Sequence, residues 1–212
     1  MMIIQPDYNI ELHYMPSTAY VYAVTHFRSI ISIHPNLHLS RQSFRNRCEI
    51  ASSQGKQNLI IPILDSRKAV PMADVQIDTR YNWAQTHFQA IKSAYGRSPY
   101  WIHYCDGLQE LYKDLAKVES LLKINILCLN WAMKLLGLEL VLFRSEELNK
   151  DLVDYFHPKK DAPSVILAES IIYKPYPQCF IDRYPFIPNL SILDAIMNLG
   201  KNWTRCIEIQ TV

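Results

Sequence analysis

Glycine is scarce in this chain of 212 residues, at 5, and no G-x-x-x-x-G-K-[ST] or G-x-G-x-x-G is present. A loop whose backbone cradles phosphates is therefore not expected. No G-x-S-x-G, H-E-x-x-H or C-x-x-C occurs, which argues against a serine nucleophile elbow and a structural zinc. His34 and His38 are four apart, but Pro35 between them disfavours a metal-binding helix. The five cysteines are an odd number without close pairing, so reduced thiols of a cytoplasmic protein are expected. No Lys or Arg precedes Arg28, so no secretory leader is expected. The most apolar stretch, Val118 to Phe143, is broken by Glu119, Lys123, Lys134 and Glu139. A membrane span needs roughly 20 nearly unbroken apolar residues. A net charge of +2 without a basic block gives no ground for a nucleic-acid partner.

What is present is 49% hydrophobic and 11% aromatic, enough for a sizeable core. Ile10 to Met15 alternates and stops at Pro16-Ser17, a strand meeting a turn. Ser17 or Thr18 suits the cap of a helix reaching about Phe27, and Ser29 to Ser32 reads as a second strand. Strand, helix and strand at this spacing make a βαβ unit with parallel strands. Cys48–Ala51 and Asn58–Ile63 flank Ser53-Gln54-Gly55-Lys56 as a β-hairpin, and Val75–Asp78 reads as a short strand. Trp83, His87, Ala90, Ile91 and Ala94 then keep helical spacing up to Gly96. Leu108 to Leu136 keeps it again, as two helices or one bent one closed by Gly137. Glu139–Phe143 reads as strand and Asp151–Phe156 as a short helix with an exit loop at His157–Lys160. The proline-rich stretch Lys174–Pro188 excludes regular structure. Ser191–Leu199 is an amphipathic helix, capped by Ser191 and closed by Gly200. Residues 1–212 are expected to form a single α/β domain. It has a mixed β-sheet with an N-terminal βαβ unit, a β-hairpin and a central block of α-helices.

Arg41, Ser43, Arg45 and Arg47 share one face if the segment is extended, with Phe44 and Cys48 on the other. Arginines so arranged fit either a bound phosphate or carboxylate or a solvated edge that resists aggregation. Cys48 lies beside this basic cluster, yet the strand reading turns its thiol away. Asn125 sits beside the apolar face of its helix and needs a structural or ligand partner. His87 on an apolar face is either a satisfied core histidine or the best acid–base candidate. His13 closes the first strand, where α/β sheets place ligand contacts. Tyr176-Pro177-Gln178 and Pro188-Asn189-Leu190-Ser191 form a stiff loop that either covers the core or presents amides to a ligand.

These pieces occur in an order that resembles the WbqC-like proteins from about Met15 to Gly200. They are Met15-Pro16-Ser17, Arg41–Ile50 with its R-N-R-C core, Leu59–Ile63, Trp83–Tyr95 and Ser98–Tyr104, then Tyr176–Phe180 and Phe186–Asp194. Members are commonly encoded among genes for bacterial surface polysaccharides. The resemblance implies a cytoplasmic enzyme of O-antigen or capsule biosynthesis. Its implied reaction is aminoacyl (glycyl) or acyl transfer to an amino sugar carried on a nucleotide. In that picture His87 is the general base. Gln42, Arg45, Asn46, Arg47, Tyr95, Asn125, Tyr176, Gln178, Asn189 and Ser191 bind a nucleotide sugar or sugar phosphate. No metal ligand and no cofactor is assigned. The alternative is a non-catalytic binding or scaffold protein of the same assembly system, holding a sugar phosphate or an acidic partner. The chain departs from the family pattern at Thr86 (usually basic), Phe88 (usually Trp) and Leu199 (usually acidic).

Overall fold

Apolar residues at helical spacing build the centre of the molecule. In the computed structural model, which describes residues 9–10, 12–26, 30–33, 43–64, 70–138, 142–144 and 171–209, they form three consecutive helices. These are α2 (Trp83–Tyr95), α3 (Trp101–Leu115) and α4 (Leu121–Leu136). α2 buries Trp83, His87, Ile91 and Ala94 on one face, as the spacing predicts. The long apolar stretch resolves into two helices because the chain breaks at 116–120, where the Ser120 side chain caps α4 by accepting from the Lys123 amide. α4 ends at Gly137, whose φ of 69° is the left-handed conformation that closes helices. The Asp151–Phe156 helix and its exit loop lie outside the described residues.

Among the described residues the strands are short and fall into three small sheets instead of one mixed sheet. β1 (Asn9–Ile10), β2 (Ile30–Ile33) and β5 (Leu142–Arg144) pair in parallel, with α1 (Thr18–His26) between β1 and β2 in the chain. β3 (Arg47–Ser52) and β4 (Gly55–Ile60) form the antiparallel hairpin expected from the sequence, in register from Arg47↔Ile60 to Ser52↔Gly55. β6 (Ile171–Tyr173) and β7 (Ile207–Ile209) form the third, antiparallel pair. The expected Val75–Asp78 strand is reduced to single bridges. Gln76 pairs with Ser120 and Ile77 with Ile63, after a 3-10 turn at Met72–Asp74.

The core has two parts. One gathers the hairpin, α2 and α3; the other gathers α1 and the C-terminal turns. α4 contributes to both, and so does α5 (Ile192–Leu199), which is buried from Ile192 to Met197. Its apolar residues pack into both parts of the core, and the one acid among them, Asp194, is buried with them. α5 stops at Gly200 (φ 59°), where a Cβ would meet the Tyr100 ring at 2.6 Å. No regular element interrupts 174–188, in keeping with its prolines.

Two distant motifs hold each other. Ser191 Oγ donates to the Met15 carbonyl (2.9 Å), and the Ile192 amide donates to the Pro16 carbonyl (2.8 Å). The Thr18 amide donates to the Leu190 carbonyl (3.0 Å), and the Ala19 amide donates to Asn189 Oδ1 (3.1 Å). Asn189 therefore caps α1 from the far end of the sequence. The Ser191 amide also reaches the Glu49 carbonyl of β3 (2.8 Å). Met15 (φ 40°) and Asn189 (φ 56°) both take left-handed backbone to make these contacts, which costs a non-glycine residue roughly 1–2 kcal/mol, less for Asn.

Asn189→Ala should lower stability by about 1–2 kcal/mol, combining a lost cap with left-handed strain. Asn189→Gly should cost less, because it removes only the cap. Urea unfolding of both variants checks the order; equal losses would show that the left-handed backbone carries no strain.

Candidate functional site

The arginine-rich segment does not run extended. Residues 43–46 turn, and β3 begins only at Arg47. The alternating-face expectation is thereby corrected over Ser43–Cys48, and Arg41 lies outside the described residues. Tertiary hydrogen bonds set the turn: the Tyr14 amide donates to the Phe44 carbonyl (3.0 Å) and the Ile61 amide to the Asn46 carbonyl (2.8 Å). Asn46 Nδ2 returns a bond to the Ile61 carbonyl (3.1 Å). Arg45 and Asn46 are buried, and Arg47 is half-buried. Cys48 is buried too, and burial pushes its thiol far up, so it stays protonated.

Asn125 is tied to this group through the Arg45 backbone. It is fully buried on α4, and its Nδ2 donates to the Arg45 carbonyl (2.8 Å). His13, also buried, stacks near Tyr20 and Phe44 with ring centroids at 4.7 and 5.7 Å. Burial, then the charge of Arg45, lowers its pKa to about 3, so it is neutral. Three polar atoms here are buried without a hydrogen-bond partner: Ser43 Oγ, Arg47 Nε and Asn125 Oδ1. Each such orphan costs on the order of 1–3 kcal/mol. They are a guanidinium N–H that donates, an amide oxygen that accepts and a hydroxyl that can do either.

His87 is enclosed by Trp83, edge-on at 5.3 Å, and by Tyr14. Its Nε2 faces the Ile60 carbonyl (3.2 Å) and its Nδ1 faces the Tyr14 hydroxyl (2.9 Å). A carbonyl only accepts, so Nε2 carries the proton and Nδ1 accepts from Tyr14. The Tyr14 oxygen then accepts from the Tyr112 hydroxyl at 2.6 Å. Burial lowers the His87 pKa to about 4, against a smaller opposing effect of the Ile60 bond. The ring is neutral and both nitrogens are engaged, so no lone pair is left to take a substrate proton.

Tyr95, Tyr176 and Gln178 meet around Asp194 of α5, which is fully buried. Asp194 Oδ2 accepts from the Tyr176 hydroxyl (2.5 Å) and from Gln178 Nε2 (2.9 Å). Gln178 also exchanges two bonds with Ile187, Nε2 to carbonyl (2.9 Å) and amide to Oε1 (2.8 Å). The Tyr95 hydroxyl faces the same carboxyl group and accepts from the Ala51 amide of β3 (3.1 Å). Burial raises the Asp194 pKa, while the Tyr176 and Gln178 bonds oppose that rise.

The residues singled out in the sequence thus fall into neighbouring groups around the hairpin. Arg45, Asn46, Arg47 and Asn125 form one; His87 joins it through Tyr14. Tyr95, Tyr176 and Gln178 form another, and Asn189 and Ser191 belong to the clamp on Met15–Ala19. Gln42 lies outside the described residues. Sequence reasoning missed Tyr14, Tyr112 and Asp194. Asp194 carries a signal, an acid within Ile192-Leu193-Asp194-Ala195-Ile196-Met197, whose other members are all apolar. Tyr14 and Tyr112 look like ordinary core aromatics until their hydroxyls are placed.

His13 and His87 both titrate below their unfolded value of 6.5. The unfolded chain therefore binds more protons below that pH, and stability is full above it. Urea unfolding should show stability falling as pH drops from about 6.5 toward 4, by on the order of 1 kcal/mol per pH unit for each histidine. His87→Asn should flatten that slope, and an unchanged slope would show that His87 is not held neutral. Asp194→Ala, which strands the Tyr176 hydroxyl and the Gln178 amide, should cost about 3 kcal/mol or more; Asp194→Asn, which keeps an acceptor, should cost less in the same assay.

Among the described residues no helix is long and apolar enough to cross a membrane. No curated protein and no solved structure matches the chain. A model of the WbqC-like protein family matches residues 12–155, a span that contains the arginine turn, the hairpin, His87 and Asn125. With more than half of its length matched, the chain belongs to the WbqC-like protein family.

Proposed function

We propose that this protein holds a sugar phosphate, or an amino sugar carried on a nucleotide, during assembly of a bacterial surface polysaccharide. Family membership is consistent with that setting. The observation that carries the ligand class is the orphaned Arg47 Nε, beside buried Arg45 and the unpaired oxygens of Ser43 and Asn125. A guanidinium N–H seeks an anionic oxygen, and a buried amide oxygen seeks a hydroxyl or amine donor.

Aminoacyl or acyl transfer to the sugar amine is the reaction the family resemblance implies. In it the amine nitrogen attacks an activated carbonyl, the leaving group departs, and the nitrogen loses a proton. His87, whose nitrogens are bonded to Tyr14 and Ile60, serves here as a positioning residue that fixes Tyr14. The same bonds favour a second reading, a holder that performs no chemistry. With a turnover assay, His87→Asn lowers the rate only in the first reading.

Thermal shift with UDP-N-acetylglucosamine, UMP and inorganic phosphate tests the shared claim. A ligand at 100 times its Kd adds about 2.7 kcal/mol. The sugar nucleotide should raise the melting temperature of the protein, and Arg47→Ala should weaken binding about tenfold, with Arg47→Lys between the two. The proposal fails if no probe shifts the transition, or if Arg47→Ala binds as the parent does.

A further inference from the structure

Between α2 and α3 lies a cleft of about 420 Å³ whose lining shares only Tyr112 with the groups described above. Ala84 and Ala116 line it with short side chains, and Phe88 and Tyr112 line it with aromatic rings whose centroids are 6.2 Å apart. Its size falls within the range of small-molecule sites. The polar lining is selective. Asn82, Gln85, Gln89 and Gln109 bring four carboxamides to the walls, and among the described residues no carboxylate lines them.

The absence of acids is a matter of helical phase and not of supply. On α3, Asp106, Glu110 and Asp114 recur every four residues on one stripe. Gln109 and Lys113 lie on the adjacent stripe and line the cleft, with Lys117 in the turn just beyond the helix. Lys117 is engaged by Asp114 (2.8 Å), while among the described residues no carboxylate lies within ion-pair distance of Lys113. Carboxamides both donate and accept, which suits several hydroxyls presented at once. One cation at the rim suits a single negative group. The two aromatic rings offer apolar edges to the C–H face of a ring.

We propose that this cleft is a second ligand site, for a monosaccharide bearing one anionic group, either a carboxylate or a phosphate. Lys113 contacts the anion, and Gln85, Gln89 and Gln109 read the hydroxyls. The site is separate from the Arg47 group and does not depend on its assignment.

Isothermal titration of the full chain with glucuronic acid, glucose 6-phosphate and glucose tests it. One of the two charged sugars should bind saturably, and whichever binds tighter identifies the anion; glucose should bind about tenfold more weakly. Lys113→Ala should erase the preference for the charged sugar. Ala116→Phe, at an exposed position, should fill the cleft and abolish binding with an unchanged circular dichroism spectrum. Arg47→Ala should leave this binding intact. The proposal is overturned if neither charged sugar binds, if binding survives both cleft substitutions, or if Arg47→Ala removes it.

Discussion

The structure depends on a set of hydrogen bonds that close the chain on itself, between Met15–Ala19 and Asn189–Ile192. Helix α1 begins with its amides exposed, as every helix does. Here part of the capping comes from Asn189, about 170 residues away. In return, the helix that Ser191 opens is fastened to the Met15 and Pro16 carbonyls. Each segment completes the backbone needs of the other, and the Ser191 amide ties both to β3 through Glu49. Left-handed backbone at Met15 and Asn189 persists because these partners over-determine it.

From that junction the polar interior extends in two directions. Toward the arginine turn, Tyr14 binds the Phe44 carbonyl through its backbone and His87 through its hydroxyl. Toward the C-terminal loop, β3 passes through Ala51 to Tyr95 and so to Asp194, Tyr176 and Gln178. The prolines at 175, 177, 185 and 188 limit the freedom of that loop, and the Gln178–Ile187 pair closes it. Polar groups inside a low-dielectric core are tolerable only when they are satisfied. Most of these are; among the described residues the exceptions are Ser43 Oγ, Arg47 Nε and Asn125 Oδ1 on one side and Asp194 Oδ1 on the other.

Much of this was legible in the sequence where local chemistry decides. The ends of α2 and α4 follow from Gly96 and Gly137, the hairpin from the Gly55 turn, and α5 from Ser191 and Gly200. The α/β class and the family follow from the same pieces. The turn at 43–46 was not legible, because its cause lies in amides of Tyr14 and Ile61 rather than in its own residues. The apolar face around His87 was readable, but the direction of its hydrogen bonds depends on Tyr14, Tyr112 and Ile60, which come from three other segments. Asn125 announced a buried amide; which carbonyl it would find was beyond any pattern.

The clamp also separates two meanings of a unit. The span that defines kinship ends at residue 155, whereas the groups that cap α1 and hold Met15 in place lie at 189–192. A fragment trimmed to the recognisable span would lose the Asn189 cap on the Ala19 amide and the Ser191 hydroxyl on the Met15 carbonyl, keeping at the start of α1 only the Ser17 hydroxyl that accepts from the Tyr20 amide. Kinship in this chain is written on a shorter piece than the one that must fold together.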